Sequence, residues 1–215
     1  MLVLFDLDGT LLDSLEAWLR GYRSIIPGGV NLSDRKIIDD FFVHDDGNFR
    51  HYGISDIAAF YESLDDAVFR HADLITAFGH VQATMGRLKC AGHRLGVLTA
   101  RRKAIAKRHC PKWLLEECEV FIDREDAAAK PAPDGILKAC GMTGVKIADA
   151  VFVGDHPIDF QAARAAGVPF IFFMQPDGKF RRNFNPQGVR SFGNFAELPG
   201  IIEEIASTPM GKKRE

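Results

Sequence analysis

The sequence predicts an α/β fold: a doubly wound parallel sheet, interrupted after its first strand by an all-helical insert. Three observations carry this. Short apolar runs of the kind that form buried parallel strands recur at residues 2–5, 95–98, 120–122, 151–153 and 169–173. Helical patterns over 101–109, 133–141 and 157–166 separate the later runs and end near Cys110-Pro111, Gly141 and Gly167, so strand and helix alternate. From about residue 12 to residue 79, in contrast, amphipathic stretches follow one another with no strand between them.

Taken in order, the first run, Leu-Val-Leu-Phe at 2–5, ends abruptly in Asp6 and Asp8, and Gly9 then lets the chain leave through a close turn. In the insert, Leu12, Leu15, Trp18, Leu19, Tyr22 and Ile26 share one helical face. A second face begins with Ile37, Ile38, Phe41 and Phe42 after a Ser33-Asp34 start, and a third helix is expected over 54–64, after Gly53. The expected division is a core of residues 1–12 and 80–215 with a helical cap at 13–79. Open α/β sheets bind ligands at the carboxyl ends of their strands, so such an insert is expected to act as a lid there. The aromatic residues Phe41, Phe42, Phe49, Tyr52, Phe60 and Tyr61 read as core of the insert, not as a substrate box. A last amphipathic helix is expected near 196–206, followed by a frayed polar tail from Met210.

Composition narrows the function classes. The 215 residues are 47% hydrophobic with a formal charge of -2, which fits a soluble globular chain and gives no global basic field for nucleic acid. The first eight residues include two acids and no positive start, so they fail as a signal peptide. No apolar run approaches the ~20 residues of a membrane span. The expectation is a cytoplasmic protein with no nucleic-acid or membrane partner. Cys90, Cys110, Cys118 and Cys140 include no C-x-x-C pair, and His109 beside Cys110 matches no zinc spacing, so all four are read as reduced thiols.

The strand ends supply the chemistry. Two aspartates one residue apart at a buried strand end raise each other's pKa unless a cation neutralises them, so Asp6 and Asp8 predict a bound metal or a shared proton. Thr99 ends the second run; Lys130 opens a later helical segment; Asp155 ends the fourth run and Asp159 follows. In a parallel sheet these converge. A carboxylate such as Asp6 can attack phosphorus in line, and Asp8 can protonate the leaving oxygen and later deprotonate water. Thr99 and Lys130 can hold phosphoryl oxygens, and Asp155 and Asp159 can bind a hard cation, for which magnesium fits best. For Asp159 a favourable acid in a helix's first turn is the lesser alternative to the cation ligand. Arg101 and Arg102 read as a solvated helix face, His44-Asp45-Asp46 as an exposed loop between helices, and Lys179, Arg181 and Arg182 as a solvated loop.

With these residues in place, the sequence resembles phosphatases of the haloacid dehalogenase superfamily. Asp6-Leu-Asp8-Gly9-Thr10 is similar to the first motif of that superfamily, Thr99 to the second, Lys130 to the third and Gly154-Asp155-His-Pro-Ile-Asp159 to the fourth. The resemblance covers about 1–12 and 80–175. It implies a Rossmann-like core with a helical cap, an aspartyl-phosphate on Asp6, and acid/base work by Asp8. It also implies magnesium held by Asp6, the backbone carbonyl of Asp8 and Asp155, with Asp159 in or just outside that shell. An aspartate at position 8 points to phosphoryl transfer, because the dehalogenases lack it. His156 stands where many relatives have Ser or Thr, and its role is open between a phosphate contact and a helix cap.

The leading reading is a magnesium-dependent phosphatase of a small phosphorylated metabolite, similar to the phosphoglycolate phosphatase-like branch, with sugar phosphates and nucleotides also open. Two alternatives share the fold. One is a phosphosugar mutase that returns the phosphoryl group to its substrate. The other is a non-catalytic phospho-ligand binding or regulatory protein, which would have no use for a leaving-group acid.

Overall fold

The computed structural model describes residues 1–42, 46–176 and 188–207, with the side chains of 46, 103, 104 and 107 left out. His44, Asp45, Lys179, Arg181, Arg182 and the tail from Met210 lie outside the described residues. The chain forms two compact units, Met1–Leu12 with Ala77–Glu215, and Asp13–Thr76.

Among the described residues, the first unit is built on a six-stranded sheet: β1 (Leu2–Phe5), β2 (Arg94–Leu98), β3 (Val120–Ile122), β4 (Ala150–Gly154), β5 (Phe170–Phe173) and β6 (Arg190–Phe192). They lie in the order β3-β2-β1-β4-β5-β6, and every neighbouring pair is parallel. This is the Rossmann-like doubly wound order, with β1 at the centre. All four β1 side chains are fully buried because both faces of a doubly wound sheet are covered. Alternation along β1 splits them: Leu2 and Leu4 join Leu98, Ile122, Ile136, Phe152 and Ala163 in one apolar cluster, while Val3 and Phe5 point to the other face.

Among the described residues of the second unit, four α-helices follow one another: α1 (Leu15–Ile25), α2 (Asp34–Phe41), α3 (Asp46–His51) and α4 (Ile57–Phe69). Ser33 caps α2 as its sequence suggests, its Oγ accepting from the Lys36 amide at 3.2 Å. The expected third helix begins later, at Ile57, because Asp56 accepts from the Ala59 amide at 3.0 Å and fixes the start there. Phe41, Phe49 and Phe60 are buried, with ring centroids 5.4 Å apart for Phe41–Phe49 and for Phe49–Phe60, so these three are core, whereas Phe42, Tyr52 and Tyr61 are half-buried.

The sheet unit carries the remaining helices, α5 (Val81–Cys90), α6 (Lys103–His109), α7 (Lys112–Glu117), α8 (Asp134–Thr143), α9 (Pro157–Ala166) and α10 (Leu198–Ser207). Two of their ends differ from the sequence reading. α6 begins at Lys103, after Arg102, not at Arg101. α8 runs through Gly141 and stops at Gly144, whose φ of 66° is the left-handed conformation that ends a helix. β6 was not expected. Its Arg-Ser-Phe sequence buries only Phe192, as suits an edge strand.

Two glycines give opposite expectations. A Cβ on Gly96, inside β2, would stand 2.5 Å from Val120 Cγ1 and 2.8 Å from Leu4 Cδ2, whereas one on Gly86, inside α5, meets open space. Gly96→Ala is therefore expected to destabilise the protein by about 1–3 kcal/mol through overpacking. Gly86→Ala should stabilise it by about 0.5–1 kcal/mol through helix propensity and unfolded-state entropy. Urea unfolding of the two variants beside the parent checks both signs.

Candidate active site

A parallel sheet places all its strand carboxyl ends on one edge, and the polar residues found by sequence follow those ends. The Asp6 amide still donates to Val153 O at 2.9 Å, so Asp6 continues the ladder between β1 and β4. Beyond it the chain turns sharply at Gly9, with φ of 86° and an amide bonded to Leu12 O at 2.8 Å. A side chain at Gly9 is excluded twice, by that φ and by space. Its Cβ would fall 2.4 Å from Asp155 Oδ2 and 2.7 Å from Gln175 Nε2.

Asp6, Asp155 and Asp159 converge, with one carboxylate oxygen of each within 4.8 Å of the others, and all three residues are buried. Lys130 joins them from the loop before α8. Its Nζ donates to Asp6 Oδ1 at 2.6 Å and to Asp159 Oδ1 at 2.7 Å. Asp155 is gripped on both oxygens, by Thr10 Oγ1 at 2.8 Å and Gln175 Nε2 at 2.8 Å, and Gln175 also donates to Gly9 O at 2.9 Å. Asp159 accepts the His156 amide on Oδ2 at 3.1 Å while His156 Nδ1 accepts the Ile158 amide at 3.2 Å. These two bonds form a capping box at the start of α9. The open question about His156 is answered in part: its Nδ1 caps the helix.

The electrostatics show what this packing costs. Burial pushes the Asp6 carboxyl up to about 7, against the opposing pull of Lys130, and the charges of Asp159 and Asp8 add to the rise. Burial also raises Asp155 well above the usual carboxylate range, with Asp6 and Asp159 contributing. Burial disfavours the Lys130 ammonium, but Asp159 and Asp6 more than offset this and raise its pKa. With all three carboxyls ionised, they would exceed the Lys130 ammonium by two negative charges, which one divalent cation would balance. A set of carboxylate oxygens suits a hard ion of that kind.

Thr99 follows directly on β2 in a buried position, its amide bonded to Ile122 O at 2.9 Å. It does not cap α6, which starts four residues later; instead its Oγ1 accepts the Arg101 amide at 3.1 Å in the intervening turn. As an acceptor there, the hydroxyl keeps its proton to donate. Asp8 departs from the other acids. Its carboxylate is engaged by Arg101, Nη2 to Oδ1 at 2.5 Å, and its side chain keeps 20% of its exposure.

Arg101 overturns its sequence reading as a solvated helix face. It is only 2% exposed, and its other terminal nitrogen, Nη1, lies 2.6 Å from His109 Nδ1. The misreading arose because helical spacing cannot distinguish a turn before a helix from the helix itself. Arg102 is half-buried. Sequence reasoning also left Gln175 out and gave Thr10 no role. The rule that polar residues just past parallel strand ends face the site would have found both.

A model of the haloacid dehalogenase-like hydrolase family matches residues 3–173. The chain belongs to that family. It is 32% identical to a phosphoglycolate phosphatase of Xylella fastidiosa over 182 residues, covering 78% of this chain and 77% of that protein. It is 25% identical to the pyrophosphatase PpaX of Halalkalibacterium halodurans, covering 93% and 96%. These likenesses place it among the phosphatases of the family. A solved structure from Lactobacillus plantarum shares the fold with a TM-score of 0.80 at 23% identity, covering 93% of this chain and 97% of that one. CbbY of Rhodobacter sphaeroides, solved with phosphate, aligns with a TM-score of 0.75 at 21% identity, covering 92% and 95%.

The raised carboxyls predict how the metal-free protein responds to pH. Asp6 titrates from an ordinary 3.8 up to about 7 in the fold, and Asp155 shifts in the same direction. Between those values the folded state binds more protons than the unfolded state, so stability is greatest below the unfolded value and falls as pH rises through the folded one. In the presence of a chelator, the melting temperature is expected to drop across this window, and Asp155→Asn should flatten the slope. A parent profile that is level or rises over the same range contradicts the assignment.

Proposed function

We propose that the protein is a magnesium-dependent phosphatase that hydrolyses a small phosphomonoester through an aspartyl-phosphate on Asp6. The observation that carries this reading is the position of Asp6. It is buried at the central strand end, bonded on Oδ1 by Lys130 at 2.6 Å, and shares a volume 4.8 Å across with Asp155 and Asp159. An acid that only stabilised the fold would not be crowded against two others.

In the first step, a carboxylate oxygen of Asp6 attacks phosphorus, the bond from phosphorus to the leaving oxygen breaks, and Asp8 gives that oxygen its proton. In the second, water attacks the same phosphorus, Asp8 takes a proton from it, and the bond to Asp6 breaks to free phosphate. Lys130 and the Thr99 hydroxyl hold the phosphoryl oxygens as charge redistributes. Asp6, Asp155 and the backbone carbonyl of Asp8 would hold the magnesium ion, with Asp159 at the edge of that set. When bound, the ion supplies positive charge that keeps Asp6 ionised and screens the approach of two anions. Thr10 and Gln175 fix both oxygens of Asp155, so that ligand need not be ordered when the ion arrives.

The relatives named above act on phosphoglycolate and on pyrophosphate, both small anions, and phosphoglycolate is the first substrate to try. Phosphate release from a panel of phosphoglycolate, sugar phosphates, nucleotides and pyrophosphate, with and without magnesium, tests the reading. Asp6→Asn is expected to abolish release while keeping the fold. Asp8→Asn is expected to lower kcat/KM by about 10²–10⁴-fold on alkyl phosphates, and far less on aryl phosphates whose leaving group needs no proton. Turnover retained by Asp6→Asn removes the nucleophile assignment; formation of a bisphosphate in place of phosphate release favours the mutase.

A further inference from the structure

Asp8 carries the acid/base steps of the proposed reaction, and its carboxylate is braced from behind by a buried arginine. Arg101 reaches Asp8 Oδ1 with Nη2 at 2.5 Å and His109 Nδ1 with Nη1 at 2.6 Å. A guanidinium is a rigid planar fork, so fixing one prong constrains where the other points. His109 is suited to fix it. Burial, with help from the Arg101 charge, pushes the imidazole pKa down to about 4, so at neutral pH the ring is uncharged and Nδ1 can accept.

The backbone of Arg101 is tied on both sides as well. Its amide donates to Thr99 Oγ1 at 3.1 Å, and its carbonyl accepts from the Arg124 amide at 3.4 Å. The arginine therefore links the side chains of Thr99 and Asp8 in one rigid turn. With 2% of its side chain exposed, it has no surface to offer a substrate, whereas Asp8 keeps 20%.

We propose that Arg101, held by His109, is a positioning residue that fixes the Asp8 carboxylate in the orientation in which it serves the leaving group and then water. The proposal rests on the reading of Asp8 as the acid/base group. It concerns orientation: the fork holds Asp8 Oδ1 and so limits how the carboxylate can turn. A carboxylate released from that fork would rotate about its side-chain bonds and meet the leaving oxygen in few of its orientations. Misplacement of about 1 Å in such a group reduces rate by roughly 10²-fold.

The test compares kcat/KM, which reports the steps up to phosphoryl transfer onto Asp6, for one alkyl phosphate and for p-nitrophenyl phosphate at saturating magnesium. The proteins are the parent, Asp8→Asn, Arg101→Met, Arg101→Lys and His109→Asn, each with its melting temperature. Arg101→Met is expected to lose about 10²-fold on the alkyl phosphate and less than about 5-fold on the aryl one, copying the pattern of Asp8→Asn. Arg101→Lys, which keeps the charge without the fork, should recover part of the alkyl activity. His109→Asn, whose amide oxygen can replace Nδ1 as acceptor, should stay near the parent ratio.

Equal losses on both substrates in Arg101→Met, accompanied by a lower melting temperature, would mean that the arginine is only structural, and the proposal fails. If Arg101→Met does not fold, Arg101→Lys decides: an unchanged alkyl-to-aryl ratio overturns the proposal, and a ratio shifted against the alkyl phosphate supports it. The two levels of inference separate through Asp8→Asn. Discrimination by Asp8→Asn without discrimination by the Arg101 variants removes the brace alone; no discrimination by Asp8→Asn removes the acid and the brace together.

Discussion

Three carboxylates held out of water within 4.8 Å of one another, with a single lysine bonded between two of them, form an arrangement that a fold must be built to withstand. Isolated buried charges cost several kcal/mol each unless paired. The parallel sheet supplies the resistance. Asp6 is anchored by the ladder to β4, and Asp155 follows directly on the end of that strand, so the two acids are brought together by backbone hydrogen bonds that hold whether or not the side chains repel. Asp159 is anchored differently, by the capping box at the start of α9, where the helix's positive end favours an acid.

Close approach also explains residues with no chemistry of their own. A Cβ at Gly9 would meet Asp155 and Gln175, and one at Gly154 would stand 2.5 Å from Asp159 Oδ2. The two glycines leave the room into which the carboxylates pack. Thr10 and Gln175 then limit how Asp155 can turn, and the His156 amide with Lys130 does the same for Asp159. Charge crowding is tolerated because nearly every oxygen has an assigned donor, which is the condition under which buried polar groups become orienting rather than disruptive.

Much of this was legible in the sequence for a physical reason. Strands buried on both faces read as continuous apolar runs, so five strands of the sheet, with Asp6, Thr99 and Asp155 past the ends of three of them, could be located without coordinates. β6 could not, because it buries one side chain in three and carries no apolar run. Helix ends depended on local backbone geometry: Gly141 and Gly144 look alike in sequence, but only Gly144 adopts the left-handed conformation. Arg101 was missed for a related reason. Its burial depends on contacts with Asp8 and His109, at sequence separations of 93 and 8 residues, and the two-residue offset of α6 that permits them leaves no compositional trace.

That offset bears on how two aspartates separated by one residue can do different work. Neighbouring acids in one strand end would ordinarily share an environment, and division of labour between carboxylates requires their surroundings to differ. Here the difference comes from two cations carried by different elements. Lys130, from the loop before α8, engages Asp6 together with Asp159 in a buried group. Arg101, from the turn before α6, engages Asp8, which keeps part of its exposure. Successive residues along an extended chain point to opposite sides, but Asp6 and Asp8 are two apart and would point the same way if the strand continued. Because β1 ends at Phe5 and the chain turns through Gly9, that registry is broken, and each acid meets a separate cation. The turn is thus what distinguishes the proposed nucleophile from the proposed acid, more than either aspartate's own identity.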